Sequence, residues 1–199
     1  MSNKKMRIVC LSFGINVLLC SSVAANNSQI CTQCNLPQLD SFLQQYCTKH
    51  NNTKSLKLDG SCCINTSSST KTEQIIGVDL SDCKLSKISG LVNNLHNLKV
   101  LLLDKNVDLQ IEDTDFNGLS HLEYMSLPET LECPGGNNSW RSDDVTDNTR
   151  ICKDEINLCQ QNNITCPNEN SECVLVGPGE MECLCLPGYH GYKCLRKVS

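Results

Sequence analysis

Aromatic residues are scarce in this chain: they make up 4 % of its 199 residues, with a single tryptophan. Aromatic side chains bury more apolar surface per residue than most others, so their scarcity argues against a large conventional core. Cysteine is abundant instead, with 16 in the chain. This proportion is typical of small extracellular domains in which disulfides supply part of the stability.

A surplus of positive charge is also missing. The formal net charge is −5, which argues against nucleic acid or an anionic membrane as the main partner. The chain has no HExxH, P-loop, nucleophile elbow or dinucleotide-binding fingerprint, and its four histidines stand apart from any motif. We therefore predict a protein that is not an enzyme and that uses no cofactor, metal or small-molecule substrate.

A long apolar run is found only near the N-terminus. A basic segment at residues 4–7 precedes an apolar stretch at residues 8–19, and Val23-Ala24-Ala25 follows as a small-x-small cleavage site. We interpret residues 1–25 as a signal peptide rather than a short membrane anchor, because a spanning helix needs about 20 apolar residues. Cleavage would remove two of the 16 cysteines and leave 14, an even number.

N-x-S/T sequons fit the same secretory compartment. One of them, at Asn26, would lie at or near the new N-terminus and is the least suited to carry a glycan. We predict glycosylation at the four others, which are Asn51, Asn65, Asn137 and Asn163.

The C-terminal part carries the most specific motif, a C-x-C pair followed by Gly-Tyr-x-Gly and a final cysteine. Spacing alone would allow its six cysteines 15 pairings. The motif resembles the EGF-like domain, which we place at residues 152–195, with a short tail at 196–199. This resemblance implies bonds between the first and third, second and fourth, and fifth and sixth cysteines: Cys159–Cys173, Cys166–Cys183 and Cys185–Cys194.

Some EGF-like domains bind calcium through acidic and amide side chains that precede the first cysteine. Glu155 and Asn157 keep two of those positions, but Leu158 stands where a further such group is expected. Leu175 and Met181 lie near the position of another expected ligand and its aromatic neighbour. Because calcium needs several oxygen ligands, we predict that this module does not bind it.

The middle of the chain, residues 65–133, contains a repeated pattern with a period of 22–24 residues. It matches the leucine-rich repeat, in which each unit has one short strand and must stack on its neighbours to bury its apolar edge. The alternative is a set of ordinary alternating strands. Three units share the frame: Ile75, Val78, Leu80 and Cys83; Leu98, Leu101, Leu103 and Asn106; Leu122, Met125, Leu127 and Thr130.

Positions between the inward residues would face the concave surface, where solenoids usually bind partners. Val100, Leu102 and Tyr124 would be neighbours there. We predict that they form an exposed apolar patch that binds a protein partner. The alternative is that flanking sequence covers the patch.

The segment before the array, residues 26–64, has the features of a cysteine-rich cap. A helix is predicted by apolar residues at helical spacing, with Pro37 suited to its first turn; these residues are Leu36, Leu39, Leu43 and Tyr46. Cys47, Cys62 and Cys63 could staple the helix to the first strand.

Cys31-x-x-Cys34 allows two other interpretations, a redox pair or half of a zinc site with Cys62 and Cys63. Structural disulfides are the default in an oxidising lumen, so we favour those. The eight cysteines between residues 31 and 152 allow 105 pairings, and we leave them open, noting only that Cys133 and Cys152 could close the array.

Residues 134–151 are rich in Gly, Asn and Asp, a composition typical of a flexible linker. Trp140 is unusual in such a segment, and we expect it to pack on the last repeat. The predicted fold is therefore a small disulfide-rich α+β protein, with a short leucine-rich-repeat-like solenoid behind a cysteine-rich N-terminal cap and an EGF-like domain after it.

The order of these parts, with the strings Cys133-Pro-Gly-Gly-Asn-Asn-Ser-Trp140 and Cys183-Leu-Cys185-Leu-Pro-Gly-Tyr-His-Gly-Tyr-Lys-Cys194, resembles the all-trans retinoic acid-induced differentiation factor family. The resemblance implies a single-pass type I membrane glycoprotein of the plasma membrane, lysosome or nuclear envelope. It also implies a role in promoting osteoblast differentiation and mineralisation and in restraining proliferation. The implied partners are a secreted NEL-like osteogenic protein or a lysosomal transporter, which the chain would serve as an accessory subunit.

Family members continue past the EGF-like domain into a transmembrane helix and a short tail, whereas this sequence stops at Ser199. We therefore expect this chain to be secreted or luminal, either as a soluble splice form or as a truncated sequence.

Overall fold

The computed structural model describes residues 27–32, 34, 41–50, 55–66 and 73–198. Within these residues the helices are α1 (Asn27–Ile30), α2 (Phe42–Lys49) and α3 (Leu158–Gln161), with 3-10 turns at Asp113–Phe116 and Tyr192–Cys194. The strands are β1 (Leu56–Asp59), β2 (Cys62–Asn65), β3 (Gln74–Asp79), β4 (Val100–Leu102), β5 (Tyr124–Pro128), β6 (Trp140–Thr146), β7 (Thr149–Glu155), β8 (Ser171–Gly177), β9 (Glu180–Cys185), β10 (Tyr189–His190) and β11 (Arg196–Lys197).

A mixed sheet in the order β1-β2-β3-β4-β5-β7-β6 forms the main body. Its three central strands β3, β4 and β5 are parallel, and Gly77, Val100 and Tyr124 lie side by side in the register. The chain therefore returns to the same place in the sheet after 23 and then 24 residues, the interval at which the leucine pattern recurs. Antiparallel hairpins flank the parallel strands on both sides.

The core lies on one face of the parallel strands. Val78, Leu101 and Met125 are neighbours in the register and are fully buried. Leu80, Leu103 and Leu127, each two residues further along the chain, and Phe116 from the 3-10 turn belong to the same cluster. Each strand alone would expose these apolar side chains to water, so the side-by-side packing of the three strands is what buries them.

Asn106 closes the turn that follows β4. Its side chain is 1 % exposed, its amide nitrogen donates to the carbonyls of Leu80 and Leu103 at 2.9 and 2.7 Å, and its oxygen accepts from the N–H of Leu85 at 3.0 Å. These groups lie after two neighbouring parallel strands, β3 and β4, so one side chain supplies hydrogen-bond partners to backbone groups in the turns after both strands.

Disulfides attach the N-terminal cap to the sheet. The bonds are Cys31–Cys62, Cys34–Cys83 and Cys47–Cys63. Cys31 and Cys34 therefore bond to different partners, which removes the redox-pair and zinc interpretations of the C-x-x-C motif. α2 begins after Ser41, whose hydroxyl accepts from the N–H of Gln44 at 3.3 Å as an N-cap. Leu36, Pro37 and Leu39 lie outside the described residues.

The prediction of a flexible linker at residues 134–151 was wrong, because most of this segment forms the hairpin of β6 and β7. β7 pairs with β5 over five residues and thereby extends the main sheet. Cys133–Cys152 closes the hairpin against the array. Trp140 is 4 % exposed and donates from Nε1 to the carbonyl of Pro134 at 2.8 Å. Asn and Asp favour loops, but here Asp147 and Asn148 occupy the two positive-φ positions of the tight turn that joins β6 to β7.

The EGF-like module follows as two small hairpins, β8 with β9 and β10 with β11. The tip of the first hairpin packs on the array: the N–H of Gly118 donates to the carbonyl of Val176 at 2.6 Å. Gly135 and Gly179, both at φ +74°, pack backbone to backbone, and a Cβ on Gly179 would lie 2.7 Å from the Cα of Gly135. Glycine is needed at this contact for both space and conformation. Within the part of the chain that the structure describes, no helix has the length and apolarity to cross a membrane.

Candidate interaction surfaces

The face of the parallel strands opposite the core, which the repeat pattern predicted to be concave, is covered by α2. Val100 is fully buried, Leu102 is 5 % exposed, and both pack with Leu43, Tyr46 and Cys47 in a second apolar cluster. The prediction of an exposed partner-binding patch at Val100, Leu102 and Tyr124 was therefore wrong for the first two residues, while Tyr124 is half-buried. Flanking sequence covers the patch, which was the alternative interpretation.

Two features of the sequence seat α2 in this position. Leu43, Tyr46 and Cys47 lie on one face of the helix at i, i+3 and i+4 and are its buried residues. Opposite them, Gly77 has no side chain, and a Cβ there would collide with the end of Leu43. The glycine thus forms a socket for the leucine, and Cys47–Cys63 ties the helix to β2.

An aromatic pair remains accessible at the edge of this covered face. The rings of Phe42 and Tyr124 stack with centroids 3.7 Å apart and planes 17° apart. Phe42 is 39 % exposed, and Tyr46 packs beside it at 6.3 Å between centroids. We call Phe42 and Tyr124 the aromatic rim. The sequence did not point to Phe42, because a single aromatic residue in the cap segment belongs to no recognisable motif.

Glu123 organises the polar groups next to the aromatic rim. Its carboxylate accepts from the hydroxyl of Tyr46 at 2.7 Å and from Nζ of Lys99 at 2.6 Å. Burial alone would raise the pKa of Glu123, but the two hydrogen bonds and the charge of Lys99 outweigh it and hold this pKa below its ordinary value. Burial and the bond to Glu123 raise the pKa of Tyr46. The rim is therefore bordered by a fixed ion pair.

Glu155 lies at the end of β7, four residues before Cys159, the first of the six EGF-module cysteines. One carboxyl oxygen accepts from the N–H of Leu122 at 3.1 Å, whereas the other is buried without a hydrogen-bond partner. Burial raises the pKa of Glu155 to about 7, against the smaller opposing effect of the Leu122 bond. Asn157, the other retained calcium-type position, uses its side-chain oxygen to cap α3 at Gln160. Both side chains are thus engaged within the protein.

Replacing Glu155 with glutamine is expected to stabilise the protein at neutral pH. Because the folded pKa of the carboxyl exceeds its ordinary value of 4.5, its contribution to stability is complete below that value and is lost as the pH rises to about 7. The gain in Tm from Glu155→Gln should therefore be small near about pH 4 and largest near about pH 8, as thermal unfolding can measure.

The exposed Glu132 provides the control for this experiment, and Glu132→Gln should change Tm little at either pH. A gain from Glu155→Gln that is equal at both pH values would contradict a buried, perturbed carboxyl.

The six EGF-module cysteines form three bonds in the structure, Cys159–Cys173, Cys166–Cys183 and Cys185–Cys194. This is the pairing that the resemblance implied. Of the predicted glycan carriers, Asn137 and Asn163 are exposed, Asn65 is half-buried at the end of β2, and Asn51 lies outside the described residues. The described residues contain no group of three His, Cys, Asp or Glu side chains placed to hold a metal ion.

Comparison with known proteins gives a consistent result. Residues 166–196 match the family model described as "ATRAID-like, EGF domain". The chain is 38 % identical to the all-trans retinoic acid-induced differentiation factor of Danio rerio over 175 residues, covering 86 % of this chain and 73 % of that protein. Its identity to the proteins of the same name is 34 % for Homo sapiens and 32 % for Mus musculus, covering 86 % of this chain and 72 % and 74 % of theirs. No solved structure matches the chain.

Proposed function

Since the chain belongs to the all-trans retinoic acid-induced differentiation factor family, we propose that it is a non-enzymatic extracytoplasmic glycoprotein that acts through protein contacts in cell differentiation. The observation that carries this proposal is the 38 % identity over 86 % of the chain. The seven disulfides among the described residues support an oxidising compartment. We further propose that residues 65–133 form a short leucine-rich-repeat-like array and that Asn137 and Asn163 carry glycans.

The proposed biological role is to promote osteoblast differentiation and mineralisation and to restrain proliferation, with a secreted NEL-like osteogenic protein as the partner class. The proposed contact is the aromatic rim and not the buried Val100 and Leu102. Aromatic side chains that keep an exposed face are enriched among the residues that dominate protein interfaces. The Lys99–Glu123 ion pair beside the rim supplies a polar border, which such interfaces commonly have.

Proximity labelling from the luminal side of osteoblast-lineage cells tests this proposal. The labelling enzyme is fused to the wild-type chain and to Phe42→Ser, which removes the exposed ring of the rim. We expect the labelling of the main partner to fall about tenfold in the variant, as for an interface residue of large effect, and mineral deposition to fall with it.

Val145→Ser is the matched control, because Val145 is also an exposed apolar residue but lies on β6, away from the rim. Both variants must be secreted like the wild type. Unchanged partner labelling by Phe42→Ser would rule out the rim as the contact. Labelling dominated by a lysosomal membrane transporter, with no effect on differentiation, would replace the proposed role by that of an accessory subunit.

A further inference from the structure

The last turn of the EGF-like module presents an unusual amount of apolar surface. Tyr192, Leu195 and Val198 are 79 %, 71 % and 62 % exposed. Among the described residues, they are three of the four most exposed large apolar side chains, and they lie within seven consecutive positions. Single exposed apolar residues are normal on protein surfaces, whereas a local concentration of them marks a contact surface.

The fold holds this segment in place. Cys194 is buried and bonded to Cys185, so the 3-10 turn at Tyr192–Cys194 is anchored by its last residue. On the other side, the N–H of Val198 donates to the carbonyl of Gly188 at 2.8 Å. The segment that carries the three apolar side chains is therefore held at Cys194 and again at Val198. Because its backbone is already ordered, less conformational entropy is lost when the side chains bind.

Basic residues are interleaved with the apolar ones. Lys193, Arg196 and Lys197 are all exposed, and Nζ of Lys193 lies 5.3 Å from the centre of the Tyr192 ring. No aspartate or glutamate occurs at residues 183–199. The segment thus carries three positive charges, although the net charge of the whole chain is −5. We call residues 192–198 the C-terminal patch.

We propose that the C-terminal patch binds the surface of a phospholipid bilayer that contains anionic lipids. Tyr192, Leu195 and Val198 enter the boundary between headgroups and acyl chains, while Lys193, Arg196 and Lys197 pair with phosphate groups. This combination of interleaved aromatic, aliphatic and basic side chains is typical of interfacial membrane contacts. A sulfated polysaccharide would use the charges but leave the apolar side chains in water, so it fits the patch less well. The proposal is independent of the differentiation role.

Vesicle sedimentation tests this proposal. The secreted, disulfide-bonded chain is mixed with phosphatidylcholine vesicles containing about 30 % phosphatidylserine, which supply the anionic surface. We expect the chain to sediment with them, and the triple variant Lys193→Gln, Arg196→Gln, Lys197→Gln to bind roughly 100-fold more weakly, at about fivefold per charge. The triple variant Tyr192→Ser, Leu195→Ser, Val198→Ser should also lose binding.

Lys105→Gln combined with Val107→Ser is the matched control, because it removes an exposed charge and a large apolar side chain that is 85 % exposed, both from the turn after β4 instead. This control should bind vesicles like the wild type. Absence of wild-type binding would overturn the proposal, as would equal binding by the apolar triple variant. Retention on heparin that depends on the basic residues but not on the apolar ones would assign the patch to a polysaccharide instead.

Discussion

Replacing Leu102 with glutamate is expected to abolish secretion of the folded chain. Leu102 is 5 % exposed beneath α2, in a cluster with Val100 and Leu43. A buried charge without a partner costs about 3–5 kcal/mol, which is a large part of the 5–15 kcal/mol that ordinarily stabilises a domain. The secreted fraction, measured by immunoblot of medium and cell lysate, should fall to near zero.

The control for this experiment is Val107→Glu, which introduces the same charge at a residue that is 85 % exposed, in the turn after the same strand. It should be secreted like the wild type. If Leu102→Glu were secreted with an unchanged Tm, the face of the strands beneath α2 would have to be open in solution, and the exposed patch inferred from the repeat register would be restored as a partner-binding candidate.

The second large effect is expected at Asn106. In Asn106→Ala, the N–H of Leu85 and the carbonyls of Leu80 and Leu103 all lose their side-chain partner. Each buried polar group left unsatisfied costs about 1–3 kcal/mol, so we expect a loss of about 3 kcal/mol or more in the free energy of unfolding, measured by denaturant titration.

Asn106→Asp separates the contribution of the hydrogen bonds to stability from that of side-chain volume, because Asp and Asn have nearly the same size. It keeps an acceptor for Leu85 but turns an oxygen toward the carbonyls of Leu80 and Leu103, and we expect it to be at least as destabilising as alanine. The exposed Asn138 is the control position, and Asn138→Ala should change stability little. Wild-type stability of Asn106→Asp would mean that the two amide bonds contribute nothing.

Local motifs predicted much of this molecule because their physics is short-ranged. The EGF-like domain was recognised from cysteine spacing and two glycines within a few dozen residues, and the family model that matches residues 166–196 confirms it. The recurrence of strands at an interval of 23–24 residues follows from the leucine pattern, since each leucine set must face the same core. The family resemblance rested on motifs of this kind and is also confirmed.

The linker prediction failed because composition does not report long-range pairing. Residues 134–151 contain Gly, Asn and Asp in a proportion typical of loops, but the edge of the main sheet was open beyond β5 and accepted β7. Trp140 carried the one available signal, since a lone tryptophan seldom remains in a free linker, and it is buried here.

For the surface at Val100 and Leu102, periodicity was sufficient to predict which side chains point away from the main core, on the opposite face of the strands. It could not say whether water or protein lies there, because the covering helix is contributed by residues 42–49, more than 50 positions earlier. That cover depends on Leu43 meeting Gly77 and on the bond between Cys47 and Cys63. The residue pattern alone thus indicated a secretory or extracellular compartment, and it determined the EGF-like module and the register of the parallel strands. Only the tertiary structure decided which surfaces remain exposed, because exposure depends on contacts between segments that are distant in the sequence.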